Sequence, residues 1–447
     1  MHRVDITMIN NRTTADSLGR SAWQPTNSVP AIVAQLILLL TPFLIVVDTL
    51  NGALMRGVGF SGLSQAFKVA YLLLLFIYSA RTRSGLLTIC ACLLSDIVFV
   101  AIHIIPNGTL EALTSDVQWL LRFNIVWLGY HVFKQLLDRG RIGLPWVYKC
   151  ITFVSAVLFI NLMLGTLGFG YSQYGKYSDS EQIGAVGFIY AGNEMSFLLL
   201  LCQVFLCGIT YHNHNRSSMI KYLLICAVFF MASVLKATKA AMLGSLIISF
   251  AFPAIEFARG LLTFRMSSLK ALAVGVFSAI IAIAAAPFAV SLIERTGLLA
   301  RMEYFFDEFG LLFVIFSGRD QFARDFLDSV WANYTIVESL FGPGRHQMLV
   351  RLGHPVEIDV LDILGGFGII GLLIYYLPYL ALFFKSTTAL LRKSPALSTG
   401  LVFSTILLAV SVTAGHVIYS GLAAPYMALC MGFLAWWRNP DINAAAR

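Results

Sequence analysis

Charge is scarce in this sequence. Asp, Glu, Lys and Arg make up only 12% of the 447 residues, whereas 58% are hydrophobic. Soluble domains carry about 25% charged residues, so a soluble globular fold is excluded. Cysteine is missing wherever it would do chemistry. All seven (Cys90, Cys92, Cys150, Cys202, Cys207, Cys226 and Cys430) fall inside or at the edge of apolar runs. That placement supports neither a disulfide framework nor a CxxC metal knuckle, and it suits small helix-packing side chains. The first 30 residues hold Arg3, Arg12 and Arg20 but no short apolar core with a cleavage site. Residues 1–29 therefore read as a cytoplasmic tail and not as a cleaved signal. Basic clusters are missing too. The net charge of +8 is scattered through short loops, which argues against nucleic-acid binding.

What is abundant is long apolar sequence. The mean hydropathy is +0.79, and a membrane-crossing helix needs about 20 apolar residues. About twelve such runs occur, centred near Leu39, Leu74, Leu94, Val126, Val157, Leu200, Phe229, Ile247, Ile280, Leu373, Leu407 and Leu429. The expected fold class is an all-α polytopic membrane protein, a single integral membrane domain over 1–447. With the amino terminus inside, the inner loops and tails hold 19 of the 31 Lys and Arg. The short outer loops hold four: Arg56, Lys176, Lys236 and Lys239. This is the positive-inside asymmetry, and it puts both termini in the cytoplasm.

One loop is not short. Between the ninth and tenth runs, residues 294–362 form a stretch with eleven of the 23 acids, on the periplasmic or extracellular face. Phe322, Phe326, Val330 and Trp331 recur there at helical spacing, and structureless loops of this length are uncommon. The segment is expected to be a large, partly helical cap on the membrane domain.

Few polar groups interrupt the runs: Asp48, Asp96, Arg122, Asn161, Glu194, and the pair Lys236 and Lys239. Ionisable groups at membrane depth tend to face a cavity or one another. For Asp48, Asp96 and Arg122, an interfacial charge or an internal pair that holds helices together is the plainer reading. Lys236 and Lys239, in the tight outer turn LKATKAAM, run against the orientation bias. An anionic ligand and a structural role are equally open there.

The densest polar cluster precedes the tenth run, in RLGHPVEIDVLDILGGFGIIG. His354-Pro355 suits a helix start, since proline fits the first helical position. A helix from there sets Glu357, Leu361 and Leu364 on one face, close to Gly365, Gly368 and Gly371. Asp359 and Asp362 share the neighbouring face. The glycine stripe would let a helix or a chain-like ligand approach beneath Glu357. The plain alternative is three solvated acids that complement the helix dipole. Arg319 in SGRD, and Arg345 beside His346 in FGPGRH, offer guanidinium forks that bind phosphate bidentately. With Lys239 they would form a phosphate pocket next to a carboxylate base. No metal is required, although the Asp359 and Asp362 pair offers one a place.

Taken together these stretches resemble one family. The SGR turn, the amphipathic segment after it, ESLFGPG, and Glu357 shortly before GFGIIG look like the outer loop of the O-antigen polymerase and ligase superfamily. The upstream GAVGFIYAGNEMS, which carries Asn193 and Glu194, and the KATKAAML turn resemble its polymerase branch. So does the layout, with about twelve helices and the largest loop between the ninth and tenth. The resemblance implies a membrane glycosyltransferase, a polysaccharide polymerase of the bacterial inner membrane. Its substrate would be polyprenyl-diphosphate-linked oligosaccharide at the outer face, in O-antigen, capsule or exopolysaccharide synthesis. No cofactor is implied; the partners are that lipid-linked substrate, the bilayer, and beyond them a chain-length regulator and a flippase. Family ligases have HN where this chain has Glu357-Ile358, with His354 three residues early, which favours a polymerase.

On this reading Glu357 is the acceptor-side base, with Asp359 and His354 in reserve. Arg319, Arg345, Lys239 and Lys236 hold the diphosphate, and Asn193, Glu194, Asp362 and His346 are further candidates. A polytopic transporter or lipid-linked oligosaccharide flippase also fits twelve helices, but such proteins usually show repeated halves and none is visible. A peptidoglycan-type polymerase of the shape, elongation, division and sporulation family shares the carrier, but its loop motifs are not evident.

Overall fold

The computed structural model describes residues 29–173, 184–212, 216–263 and 298–438, with a few isolated positions between 264 and 297. Five helices come first: α1 (Val29–Val58), α2 (Leu63–Ser79), α3 (Arg83–Asn107), α4 (Leu110–Asp138) and α5 (Leu144–Thr166). A small antiparallel pair, β1 (Tyr171–Ser172) with β2 (Ala185–Gly187), leads into α6 (Gly192–Tyr211), α7 (Arg216–Lys236) and α8 (Lys239–Leu262). After α9 (Leu298–Phe316) come three short helices, α10 (Arg319–Asp325), α11 (Ile336–Phe341) and α12 (Arg345–Leu352). The chain closes with α13 (Asp359–Ser386), α14 (Pro395–Thr413) and α15 (Ala424–Trp437).

Eleven of the twelve expected centres fall inside these helices, and Ile280 lies outside the described residues. Among the described residues, eight helices are long and apolar enough to cross a membrane. Helices α2 and α15 are apolar but shorter, and α4 carries Asp116, Arg122 and Lys134 along its length. The fold is an all-α polytopic membrane protein.

Local chemistry sets the boundaries. Thr82, Thr109 and Ser394 accept hydrogen bonds from the free amides of Gly85, Ala112 and Leu397 and so start α3, α4 and α14. Helix α6 is apolar nearly all round, which marks a helix with no polar face to show. It is the central element, with 94% of its spanning window buried. Small residues let its neighbours approach: Gly208 of α6 meets Thr399 of α14, and Gly129 of α4 meets Ala428 of α15.

The segment between α9 and α13 is partly helical, as its periodicity predicts. After α10 the chain continues through a π-helical turn (Phe326–Val330) and a 3-10 turn (Trp331–Asn333). Phe326, Val330, Met348, Val356 and Ile358 form a small core of their own.

The expected start of the tenth run needs correction. Helix α13 begins at Asp359 and not at His354, and residues 355–358 are non-helical. The glycine stripe is also occupied. A Cβ at Gly365 would strike Met348, and one at Gly368 would strike the Leu340 backbone. Gly344 N donates to the Gly366 carbonyl at 3.0 Å. The stripe therefore seats α11 and α12, leaving no groove there for a chain-like ligand. At Gly368 the φ of +66° breaks the helix beside the Leu340 backbone.

Candidate active site

Segments far apart in sequence meet at one end of the bundle around a cavity of about 520 Å³. The start of α6 supplies Asn193 and Ser196, and the turn between α7 and α8 supplies Thr238 and Lys239. The turn after α9 brings Ser317 and Arg319, and the stretch before α13 brings Glu357. These form a polar rim. Below it, Leu243 and Ile247 of α8 face Val410 and Ile406 of α14. Lys239 to Ile247 spans eight residues of helix, about 12 Å, so the wall turns from charged to apolar over a short depth. Leu243 and Ile247 are 61% and 55% exposed, so the described residues leave the apolar part of the wall open.

At the rim, Arg319 Nη2 donates to the Glu357 carboxylate at 2.7 Å. Arg319 Nη1 reaches the Phe316 carbonyl at 3.4 Å, and its buried Nε has no partner among the described residues. Lys239 Nζ donates to the Val314 carbonyl. Lys236, fully buried, donates to Gln173 Oε1, and Gln173 itself lines the cavity. The Ser196 and Thr238 hydroxyls share a hydrogen bond of 3.0 Å. The rim thus gathers two cations, one carboxylate and several hydroxyl and amide groups.

Backbone strain collects at the same place. Among the described residues, four that are not glycine have positive φ: Ala237, Ser317, Glu357 and His416. Ser317 and Glu357 line the cavity, Ala237 precedes Thr238, and His416 is two residues past Ala414, another lining residue. Such conformations are unfavourable and persist only where the surroundings enforce them, which is why they cluster at functional sites.

The enforcing contacts are visible on both sides of Glu357. Val356 N donates to Asp362 Oδ1 at 3.0 Å. The Glu357 carbonyl lies so close to Gly415 that a Cβ there would approach its oxygen to 2.4 Å. Asp359 Oδ2 accepts from Val417 N and Ile418 N, and Asp362 Oδ2 accepts from the Tyr419 hydroxyl, each at 2.9 Å. Both aspartates are buried. They tie the start of α13 to the 416–419 segment and do not line the cavity. Asp359, proposed as a reserve base, thus stands away from the cavity, and protein donors already occupy three of the four oxygens the pair would offer a metal.

The other candidates separate. The His354 ring lies 4.2 Å from the Phe322 ring, with Nδ1 3.1 Å from the Pro355 carbonyl. Arg345 covers the Trp119 ring at 4.8 Å and donates to Ser115, while its backbone N donates to Asp116 Oδ1. Burial, and then the nearby Arg122, lower the Arg345 pKa from its ordinary value. His346 Nδ1 is 4.0 Å from Glu111. None of these three lines the cavity, so Arg319 and Arg345 do not share it. Glu194 accepts from the Ser420 hydroxyl and Leu422 N, and lines a second cavity.

Gln173, Ser196, Ser317 and Thr413 also line the cavity and carry no charge that would have marked them in the sequence. Ser196 and Ser317 lie in the GAVGFIYAGNEMS and SGR stretches, and Thr238 lies between Lys236 and Lys239, whereas Gln173 and Thr413 had no such signal. His103 also went unmarked. It bridges Asp116 at 2.9 Å and the Phe341 carbonyl at 3.1 Å, and so fastens α3 and α4 to α11.

Residues 305–436 match the family model described as O-antigen ligase like membrane protein. The matched stretch contains Arg319, Glu357 and α14, whereas Asn193 and Lys239, on the facing wall, lie outside it. No curated protein matches the chain. The matched stretch is under a third of the chain, and over it the protein is similar to O-antigen ligase like membrane proteins.

Proposed function

We propose that the chain is a polysaccharide polymerase. It transfers oligosaccharide from polyprenyl diphosphate onto another repeat unit at the outer face of the bacterial inner membrane. The observation that carries this reading is the division of the cavity, with Lys239, Arg319 and Glu357 at the rim and apolar α8 and α14 walls below. A polyprenyl diphosphate has the same division: an anion between a sugar and an isoprenoid tail.

Arg319 and Lys239 hold the diphosphate. Phosphate competes with Glu357 for the guanidinium fork, so substrate entry opens the ion pair and frees the carboxylate. The acceptor hydroxyl attacks the anomeric carbon and its proton passes to Glu357. The bond from that carbon to the diphosphate oxygen breaks, and the electron pair leaves with the diphosphate. The two cations stabilise the charge that grows there. A carboxylate where family ligases have histidine favours polymerisation over ligation. A chain-length regulator and a flippase would work beside such an enzyme.

Purified protein in vesicles, given the lipid-linked repeat extracted from its source cells, is expected to build a ladder of products. A flippase would move the same substrate without forming a glycosidic bond. No ladder from wild-type protein, with substrate supplied on the cavity side, overturns the proposal.

A further inference from the structure

A second cavity, of about 460 Å³, lies against the first. The start of α6 separates them: Ala191 and Glu194 line the second, Asn193 and Ser196 the first. Asp48 of α1, Lys68 of α2, and Gln118 and Arg122 of α4 supply its polar lining, and Tyr190 joins them. The chemistry differs from the first cavity. Asp48 Oδ1 accepts from Lys68 Nζ at 2.7 Å and from the Ser64 hydroxyl. Asp48 Oδ2 is buried and has no partner among the described residues, on a side chain only 10% exposed. A carboxylate oxygen only accepts, so what satisfies it is an O–H or N–H donor. Asp48 and Glu194 balance Lys68 and Arg122 in the lining, so this cavity offers a second diphosphate no net positive charge. Gln118 is exposed to the cavity side and Tyr190 is 47% exposed. A planar amide and a guanidinium match the vicinal hydroxyls of a sugar, the Tyr190 ring, edge-on to Tyr171 at 5.4 Å, adds an aromatic wall, and a volume in the range of about 300–1,000 Å³ suits a small ligand.

We infer that this cavity is a phosphate-free saccharide subsite that holds the hydroxyl-rich glycan of the acceptor. Its assignment to the acceptor rests on the polymerase reading. Asp48 takes a sugar hydroxyl on Oδ2, Gln118 and Arg122 engage neighbouring hydroxyls, and Tyr190 stacks on a ring. The site is pre-formed, because Asp48 is held by Lys68 and Ser64 and Glu194 is held by Ser420 and Leu422.

Mild acid releases the oligosaccharide from the polyprenyl diphosphate of the source cells and gives a probe without phosphate. Its binding to full-length protein in nanodiscs is measured by titration calorimetry, alongside that of inorganic pyrophosphate. Wild-type protein is expected to bind both. Asp48→Asn weakens the oligosaccharide about tenfold, or about 1.4 kcal/mol, and leaves pyrophosphate unchanged. Gln118→Ala, at an exposed position, does the same in direction without shifting the melting temperature, which separates binding from misfolding. Arg319→Ala loses pyrophosphate and keeps the oligosaccharide. Failure of wild-type protein to bind the oligosaccharide, or unchanged affinity in both Asp48→Asn and Gln118→Ala, overturns the inference. Failure of the polymerase reading looks different: the probe binds with these dependences, yet no glycosidic bond forms.

Discussion

At Glu357 the backbone φ is +60°, a conformation that costs a residue other than glycine about 1–3 kcal/mol. Two buried neighbours, Val356 and Ile358, fix it, and the carboxylate is left one-third exposed beside Arg319. Asp359 and Asp362 lie within five residues of it and do the opposite work, accepting buried backbone and hydroxyl donors. Substitution separates these roles. Glu357→Gln is expected to abolish polymer in a cell-based assay, with membrane level and melting temperature near wild type. Arg319→Lys keeps the charge, loses the fork, and should leave polymer reduced; wild-type polymer length and amount in this variant would count against diphosphate binding at Arg319. Asp359→Ala and Asp362→Asn should instead lower thermal stability, by about 1–3 kcal/mol for each buried donor left without its acceptor. Unchanged melting temperatures in both would return these aspartates to the list of candidate bases. Part of this was legible in the sequence. Lys239, Arg319 and Glu357 stood out because charge beside an apolar run is rare. What separates Glu357 from the two aspartates is set by Val417, Ile418 and Tyr419, more than fifty positions away, and no local pattern carries that.

Helix positions were legible where one physical rule acts alone. Apolar length located eleven runs, and the spacing of Phe326 and Val330 announced the small core of the segment between α9 and α13. Competing rules blurred the start of α13. Proline at 355 is a genuine start signal, but Asp362 captures the Val356 amide and the chain stays non-helical as far as Ile358. The glycines before and after that point were legible as close-approach sites, but not what approaches. Gly342 has φ +74° and ψ 162°, and a Cβ there would lie 2.1 Å from the Gly366 carbonyl oxygen. Gly342→Ala is expected to lower stability by about 1–3 kcal/mol from its backbone conformation alone, and to unseat α11 from α13. Limited proteolysis checks this: cleavage between Asn333 and Arg351 should become faster than in wild type. Unchanged cleavage and melting would mean that the seat is not as close as described.

Across the whole molecule, both cavities open at one end of the bundle, and that end sets the side on which chemistry occurs. Lys239 begins α8 beside the first cavity, and Leu262 ends that helix about 36 Å away. Ser217, near the start of α7, is about 29 Å of helix from Lys236, so it lies at the end opposite the cavities. Thr335 caps α11 in the segment that sits on α13, at the cavity end, and is exposed. The basic residues of the sequence favour the Ser217 end: Arg81, Arg139, Arg141, Arg392 and Lys393 lie in turns on that side, and Arg83 and Lys385 in the helix ends next to them. Lys and Arg in short loops stay cytoplasmic, so the cavities should face outward. Reporter fusions are expected to read outside at Thr335 and inside at Ser217. The transfer reaction depends on this sign, because a lipid-linked saccharide polymerised at the outer face must meet Lys239, Arg319 and Glu357 there. A cytoplasmic reading at Thr335 would reverse the molecule in the membrane and remove the outer-face polymerase with it.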